Sequence, residues 1–170
     1  REDLNRGFSG VGDFDNDGLP EAVFVSGGTV QILEGATGTT LIGPTTLAGS
    51  GSGGPPTVAD FDGDGLPEIG VAQADFYAML KPSFTIEGDG TTTWDSLDIV
   101  WSAPNHDFSS SVTGSTVFDF EGDGAAEVIY ADECFLWVYD GPTGDIRFAA
   151  STTSFTGTEA SLIADVDGDG

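Results

Sequence analysis

Apolar residues in this chain come in short runs rather than long or helical stripes. Ala22-Val23-Phe24-Val25, Ile69-Gly70-Val71-Ala72 and Val128-Ile129-Tyr130-Ala131 are brief and mostly β-branched or aromatic, the composition expected of strands. Further strands are predicted at 29–33, 84–86, 99–101 and 135–139. Between them, Glu34-Gly35-Ala36-Thr37-Gly38 and Asp140-Gly141-Pro142-Thr143-Gly144 carry one and the same hairpin signal. No stretch has a convincing 3.6-residue period, and 26 glycines oppose helix formation.

A longer pattern overlies the strands. Val-Gly-Asp-Phe-Asp-Asn-Asp-Gly-Leu-Pro-Glu at 11–21 returns as Val-Ala-Asp-Phe-Asp-Gly-Asp-Gly-Leu-Pro-Glu at 58–68. A third copy, Val-Phe-Asp-Phe-Glu-Gly-Asp-Gly-Ala-Ala-Glu, occupies 117–127, and a fourth begins at 163 with Ile-Ala-Asp-Val-Asp-Gly-Asp-Gly. The leading Asp falls at 13, 60, 119 and 165, so the units are approximately 11–57, 58–116, 117–162 and a truncated 163–170. The second unit is longer, with its extra residues expected in the Gly- and Thr-rich stretch 87–93. About four short strands per unit of roughly 45 residues is the rhythm of a β-propeller blade. The expected fold is therefore all-β, one partial propeller domain over 1–170 with about three and a half four-stranded blades.

Charge narrows the function. With 29 Asp plus Glu against 4 Lys plus Arg, the formal charge of -25 excludes a nucleic-acid binder, which needs a basic face to displace counterions. It also opposes docking on anionic membranes, and no apolar run approaches the ~20 residues of a spanning helix, so no membrane insertion is expected. A hydrophobic content of 38% and an aromatic content of 11% set the chain apart from disordered acidic tails.

The acids are patterned. Fifteen of the 29 lie in the four repeated loops, at positions 1, 3 and 5 and, in three loops, position 9. Alternate acids can converge on one point while the residue between them, Phe14, Phe61, Phe120 or Val166, faces the core. Position 4 is Asn or Gly and position 6 always Gly, as a chain folding back through positive φ requires. Four carboxylates left empty would repel one another. A hard divalent cation relieves that, and calcium, which takes 6–8 oxygens flexibly, suits the loop better than octahedral magnesium. An EF-hand would need a bidentate Glu at position 12 and flanking helices, but position 12 is Phe24, Val71 and Tyr130, each in a strand run.

Asp-x-Asp-x-Asp-Gly-x-x-Glu between short strands, repeated along the whole chain, resembles the FG-GAP/VCBS repeats of integrin-α-like β-propellers. The resemblance implies a calcium ion in each loop, held by the acids at 1, 3, 5 and 9 and the carbonyl at 7. The implied ligand sets are Asp13, Asp15, Asp17, Leu19 and Glu21, then Asp60, Asp62, Asp64, Leu66 and Glu68. A third set, Asp119, Glu121, Asp123, Ala125 and Glu127, departs from the pattern in its Glu at position 3, and the fourth has only Asp165, Asp167 and Asp169. Relatives close a ring with about seven blades, so the resemblance implies that this chain is part of a longer, seven-bladed propeller.

Three functions follow as expectations. The favoured one is a non-catalytic extracellular or cell-surface calcium-binding scaffold for adhesion or recognition, taking a protein or glycan ligand. The second is a structural subunit of an extracellular filament or assembly, in which copies of the chain stack on one another. The third is the propeller part of a polysaccharide-degrading, lyase-like enzyme. Other residues offer little chemistry. His106 is the sole histidine, without a nearby nucleophile, and reads as a loop residue. Trp94, Trp101 and Trp137 are expected in packing between blades, and Cys134, the single cysteine, as a buried apolar residue. The Gly35-Ala36-Thr37-Gly38 and Gly141-Pro142-Thr143-Gly144 turns also resemble those of quinoprotein propellers, but those repeats lack an acidic loop in every blade.

Overall fold

The computed structural model describes residues 6–108, 111–153 and 161–166. The repeat seen in sequence becomes three four-stranded antiparallel sheets, each in simple sequential order. The first contains β1 (Phe8–Gly12), β2 (Glu21–Ser26), β3 (Thr29–Leu33) and β4 (Thr40–Thr46). The second contains β5 (Thr57–Ala59), β6 (Glu68–Ala72), β7 (Phe76–Ile86) and β8 (Thr92–Pro104). The third contains β9 (Thr116–Phe118), β10 (Glu127–Ala131), β11 (Phe135–Tyr139) and β12 (Ile146–Ser151). Among the described residues there is no helix, hence none long and apolar enough to cross a membrane.

In each sheet the acidic loop joins the first strand to the second, which begins at the closing Glu. The pairing across it is the same three times: Gly12 with Glu21, Ala59 with Glu68, Phe118 with Glu127. The extra length of the second unit lies where the sequence placed it, in a long hairpin of β7 and β8 whose turn spans 87–91. The pieces expected at 84–86 and 99–101 are parts of these two long strands. The outer strand β4 escapes sequence reading because Gly43 and Pro44 interrupt it, which an edge strand tolerates.

Sheet packs on sheet. Phe14, Val23, Val25 and Ile32 of the first interdigitate with Ile69, Val71, Ala78 and Leu80 of the second. Phe61, Tyr77, Met79 and Trp101 of the second meet Val128, Tyr130, Trp137 and Tyr139 of the third. The first strands β1, β5 and β9 touch in succession, as do the outer strands β4 and β8. The second junction is aromatic: Tyr77 lies 5.9 Å from Trp101, 5.8 Å from Tyr139 and 5.6 Å from Tyr130, ring centre to ring centre. Trp101 Nε1 donates to the Gly141 carbonyl at 2.7 Å, tying the second sheet to the hairpin of the third. At ~1.5–3 kcal/mol per fully buried large side chain, these two seams are the main source of stability.

Two expectations about burial need correction. Position 2 of the acidic loops is buried as Phe14 and Phe61 but not as Phe120, which is 45% exposed, or Val166, which is exposed. Each of the first two phenylalanines is covered by the following sheet, and no described sheet follows Phe120. Cys134 is exposed. Asp132 Oδ1 accepts the Cys134 and Phe135 amides, making a turn that swings the thiol outward before β11 begins. Trp101 and Trp137 are buried, and Trp94 packs partly buried against the first seam.

Candidate metal sites in the acidic loops

Within each loop the backbone and the acids build one cradle. The position 1 aspartate accepts the amide of the position 6 glycine: Gly18 to Asp13 at 2.9 Å, Gly65 to Asp60 at 2.8 Å, Gly124 to Asp119 at 2.8 Å. The position 5 aspartate accepts the amide of position 7, at 2.7 Å for Leu19, 2.9 Å for Leu66 and 3.0 Å for Ala125. Positions 4 and 6 are left-handed in all three, with φ of 57° and 89° at Asn16 and Gly18 and similar values in the other copies. That conformation is why Asn or Gly stands at one position and Gly at the other.

The closing glutamate belongs to the core side of the loop. Glu21, Glu68 and Glu127 are buried. One oxygen of each accepts the amide of the position 2 residue, at 3.0 Å from Phe14, 2.8 Å from Phe61 and 3.1 Å from Phe120. Glu68 and Glu127 also offer an oxygen to the other acids of their loops. Carboxylate oxygens lie within 4.8 Å of one another for Asp13, Asp15 and Asp17, for Asp60, Asp62 and Glu68, and for Asp119, Glu121 and Glu127. These three groups can hold a metal ion. Glu21, Asp64 and Asp123 stand outside the tight groups, and Leu19, Leu66 and Ala125 follow directly on the position 6 glycines. In the fourth loop Asp165 is described and exposed, while Asp167 and Asp169 lie outside the described residues.

The three cradles differ in what neutralises them. Among the described residues no basic side chain pairs with the first. Glu21 there has its pKa pushed up to about 6, by burial above all, opposed by the Phe14 amide and reinforced by the charges of Asp15, Asp17 and Asp13. This loop fits a divalent cation: it holds acids only, and burial together with the neighbouring carboxylates raises the pKa of the fourth.

The second cradle carries its own cation. Lys81 Nζ sits 2.5 Å from Asp62 Oδ2, 2.7 Å from Asp64 Oδ2 and 3.0 Å from Glu68 Oε1. That Glu68 oxygen is buried and has no hydrogen bond, so the ammonium is its counter-charge. Burial opposes the charge on Lys81, but Asp62, Asp64 and Glu68 outweigh it and hold its pKa above the ordinary lysine value. Burial raises the pKa of Glu68, with the Phe61 amide and Lys81 opposing.

The third cradle is met by Arg147. Its guanidinium contacts Glu121, lies 3.2 Å from Glu127 Oε1, and clasps Asp140 Oδ2 through Nε at 2.8 Å and Nη2 at 2.6 Å. Hydrogen bonds to Glu121 and Asp140 push its pKa upward. In the second and third cradles a basic group thus already stands against two of the three acids of the metal-sized group.

Lys81 and Arg147 were not legible from the loop motif, yet a signal exists. The residue thirteen after the closing glutamate is Glu34, Lys81 and Asp140 in the three units. Each directly follows the third-strand residue paired with the neighbour of that glutamate: Leu33 with Ala22, Leu80 with Ile69, Tyr139 with Val128. One register therefore delivers an acid, a base and an acid to the same place, and Arg147 joins the third from β12.

A second polar cluster lies away from the loops. Buried Asp132 accepts Trp137 Nε1 at 2.6 Å and the His106 amide at 2.7 Å, while Tyr130 donates to Asp107 at 3.2 Å. His106 sits in the loop after β8, as expected, with Nδ1 3.9 Å from Asp132. These contacts fix the junction of the second and third sheets.

Among solved structures, the crystal structure of the V. cholerae biofilm matrix protein Bap1 aligns over 95% of this chain and 58% of that one, at 13% identity and a TM-score of 0.43. No curated protein sequence matches the chain. Residues 13–71, which run from the first aspartate of one acidic loop through the whole of the next, match the family of FG-GAP-like repeats.

Proposed function

We propose that the chain is an extracellular calcium-binding module, a set of β-propeller blades acting as a rigid, non-catalytic scaffold for adhesion or recognition of a protein or glycan. The observation that carries this reading is the first acidic loop: three carboxylates within 4.8 Å, a buried fourth with a raised pKa, and no basic partner among the described residues. Calcium is the ion of choice because the ligands are all oxygens, and calcium accepts 6–8 of them in a flexible geometry where magnesium demands an octahedron. Extracellular calcium is ~millimolar, so even a weak site there is filled. In this reading each sheet is one blade of a larger, seven-bladed ring, and the loops stand where one blade's first strand turns into its second. An ion bridging positions 1 to 5 locks that turn, and with it the apolar position 2 residue that seals the seam to the next blade.

A second reading is a subunit of an extracellular assembly whose copies stack. Sedimentation in calcium separates the two: a monomer at micromolar concentration supports the scaffold, and concentration-dependent growth supports the assembly. The calcium reading itself is tested by thermal melts in millimolar calcium, in chelator and in magnesium. A site saturated ~100-fold contributes ~2.7 kcal/mol, so chelation should lower the melting temperature by several degrees. Identical melts in calcium and chelator would end it.

A further inference from the structure

We infer that Lys81 and Arg147 are resident cations that take the place of a divalent ion in the second and third acidic loops, so that of the three described cradles only the first binds metal. The inference rests on the proposed calcium site in the first loop for its contrast, but not for its geometry. Lys81 Nζ touches two of the three acids that form the second metal-sized group, Asp62 and Glu68, together with Asp64. Arg147 touches two of the three that form the third, Glu121 and Glu127. A cation bound to those oxygens would meet the ammonium or guanidinium at contact distance, and two positive charges so close repel strongly in a partly buried site.

The placement is specific rather than statistical. The chain has four basic residues in 170, and two of them are aimed into acidic loops. Lys81, the sole lysine, stands where the first unit has Glu34 and the third has Asp140. Arg147 is held by Asp140 at one end while its other end reaches Glu121 and Glu127. A tethered cation has no dissociation step, so these two loops stay closed whatever the ambient calcium. Of the three described loops, the first alone responds to it. Lys81 and Arg147 thus set the metal stoichiometry of a repeat whose motif, taken alone, suggests one ion per copy.

The test is a calcium titration of the full chain followed by amide NMR, reading Gly18, Gly65 and Gly124, the position 6 glycines of the three loops. In the parent chain the Gly18 resonance should move with calcium while Gly65 and Gly124 stay. In Lys81→Met the Gly65 resonance should become calcium-responsive, in Arg147→Met the Gly124 resonance should, and equilibrium dialysis should count one more ion in each. Lys81→Arg, which keeps the charge, should leave the parent pattern intact. Movement of Gly65 and Gly124 in the parent at the calcium level that moves Gly18 would overturn the inference, with no need for a folded variant. If Gly18 does not move, the calcium reading of the first loop fails separately. The methionine variants then decide alone: a gained response supports resident cations, and its absence overturns them.

Discussion

Replacing Glu21 by Gln should stabilise the metal-free protein and weaken its response to calcium. Glu21 is 4% exposed, and its folded pKa rises from 4.5 to about 6, mainly through burial, against the help of the Phe14 amide and with the added repulsion of Asp15, Asp17 and Asp13. At 1.36 kcal/mol per tenfold change in acidity, ionised Glu21 costs the fold about 2 kcal/mol, an upper value because solvent around the loop screens the charges. The sign follows from proton linkage. Between pH 4.5 and 6 the folded state binds more protons than the unfolded one, so this stability is full below 4.5 and is lost as pH rises through 6. Gln keeps an oxygen for the Phe14 amide and removes the charge. In chelator at neutral pH, Glu21→Gln should melt up to about 4–8 °C above the parent, an advantage that vanishes near pH 4.5. In millimolar calcium the order should narrow or invert, because the variant has lost one anionic ligand and a tenfold weaker site is about 1.4 kcal/mol less stabilising. Scanning calorimetry at several pH values, with and without chelator, reads all of this. A variant that melts below the parent in chelator at neutral pH, or whose advantage is the same at every pH, would refute the account of a charge-strained, metal-seeking first loop.

Further outcomes follow from the packing. Gly70→Ala should be disproportionately destabilising, because a Cβ there would lie 2.1 Å from the Tyr77 hydroxyl, which is fully buried and bonded to Ser115 at 2.8 Å. We expect a loss of roughly 2–3 kcal/mol in urea denaturation, and a cost under about 0.5 kcal/mol would contradict the seam described here. Cys134 should react with a thiol reagent in the native state at close to one equivalent per chain, since it is exposed; native protection released only by denaturant would place it in a core instead.

What could be read from sequence was what local geometry decides. Positions 1, 3, 5, 6 and 9 of the acidic loop interact with residues at most seven apart, so spacing alone foretold the left-handed turn at Gly18, the convergence of Asp13, Asp15 and Asp17, and the all-β repeat that carries them. The misses are contacts made at a distance, apart from the local turn at Cys134. Phe120 has the same local surroundings as Phe14 and Phe61, but its burial depends on a following sheet, which no motif within the loop encodes. Cys134 lies one residue before a strand, and the Asp132 turn decides which way it faces. Most consequential, the second cradle is met by Lys81, thirteen positions beyond its closing glutamate, and the third by Arg147, twenty beyond, across hairpins whose register must be known before Glu34, Lys81 and Asp140 can be seen as equivalent. The loop motif therefore specifies an anionic cradle and says nothing of what fills it. On the proposed reading, a single change at this position, from Glu to Lys, would convert a metal-dependent turn into a self-neutralised one. On that reading, copies of one repeat diverge in metal dependence while their loop motif is kept.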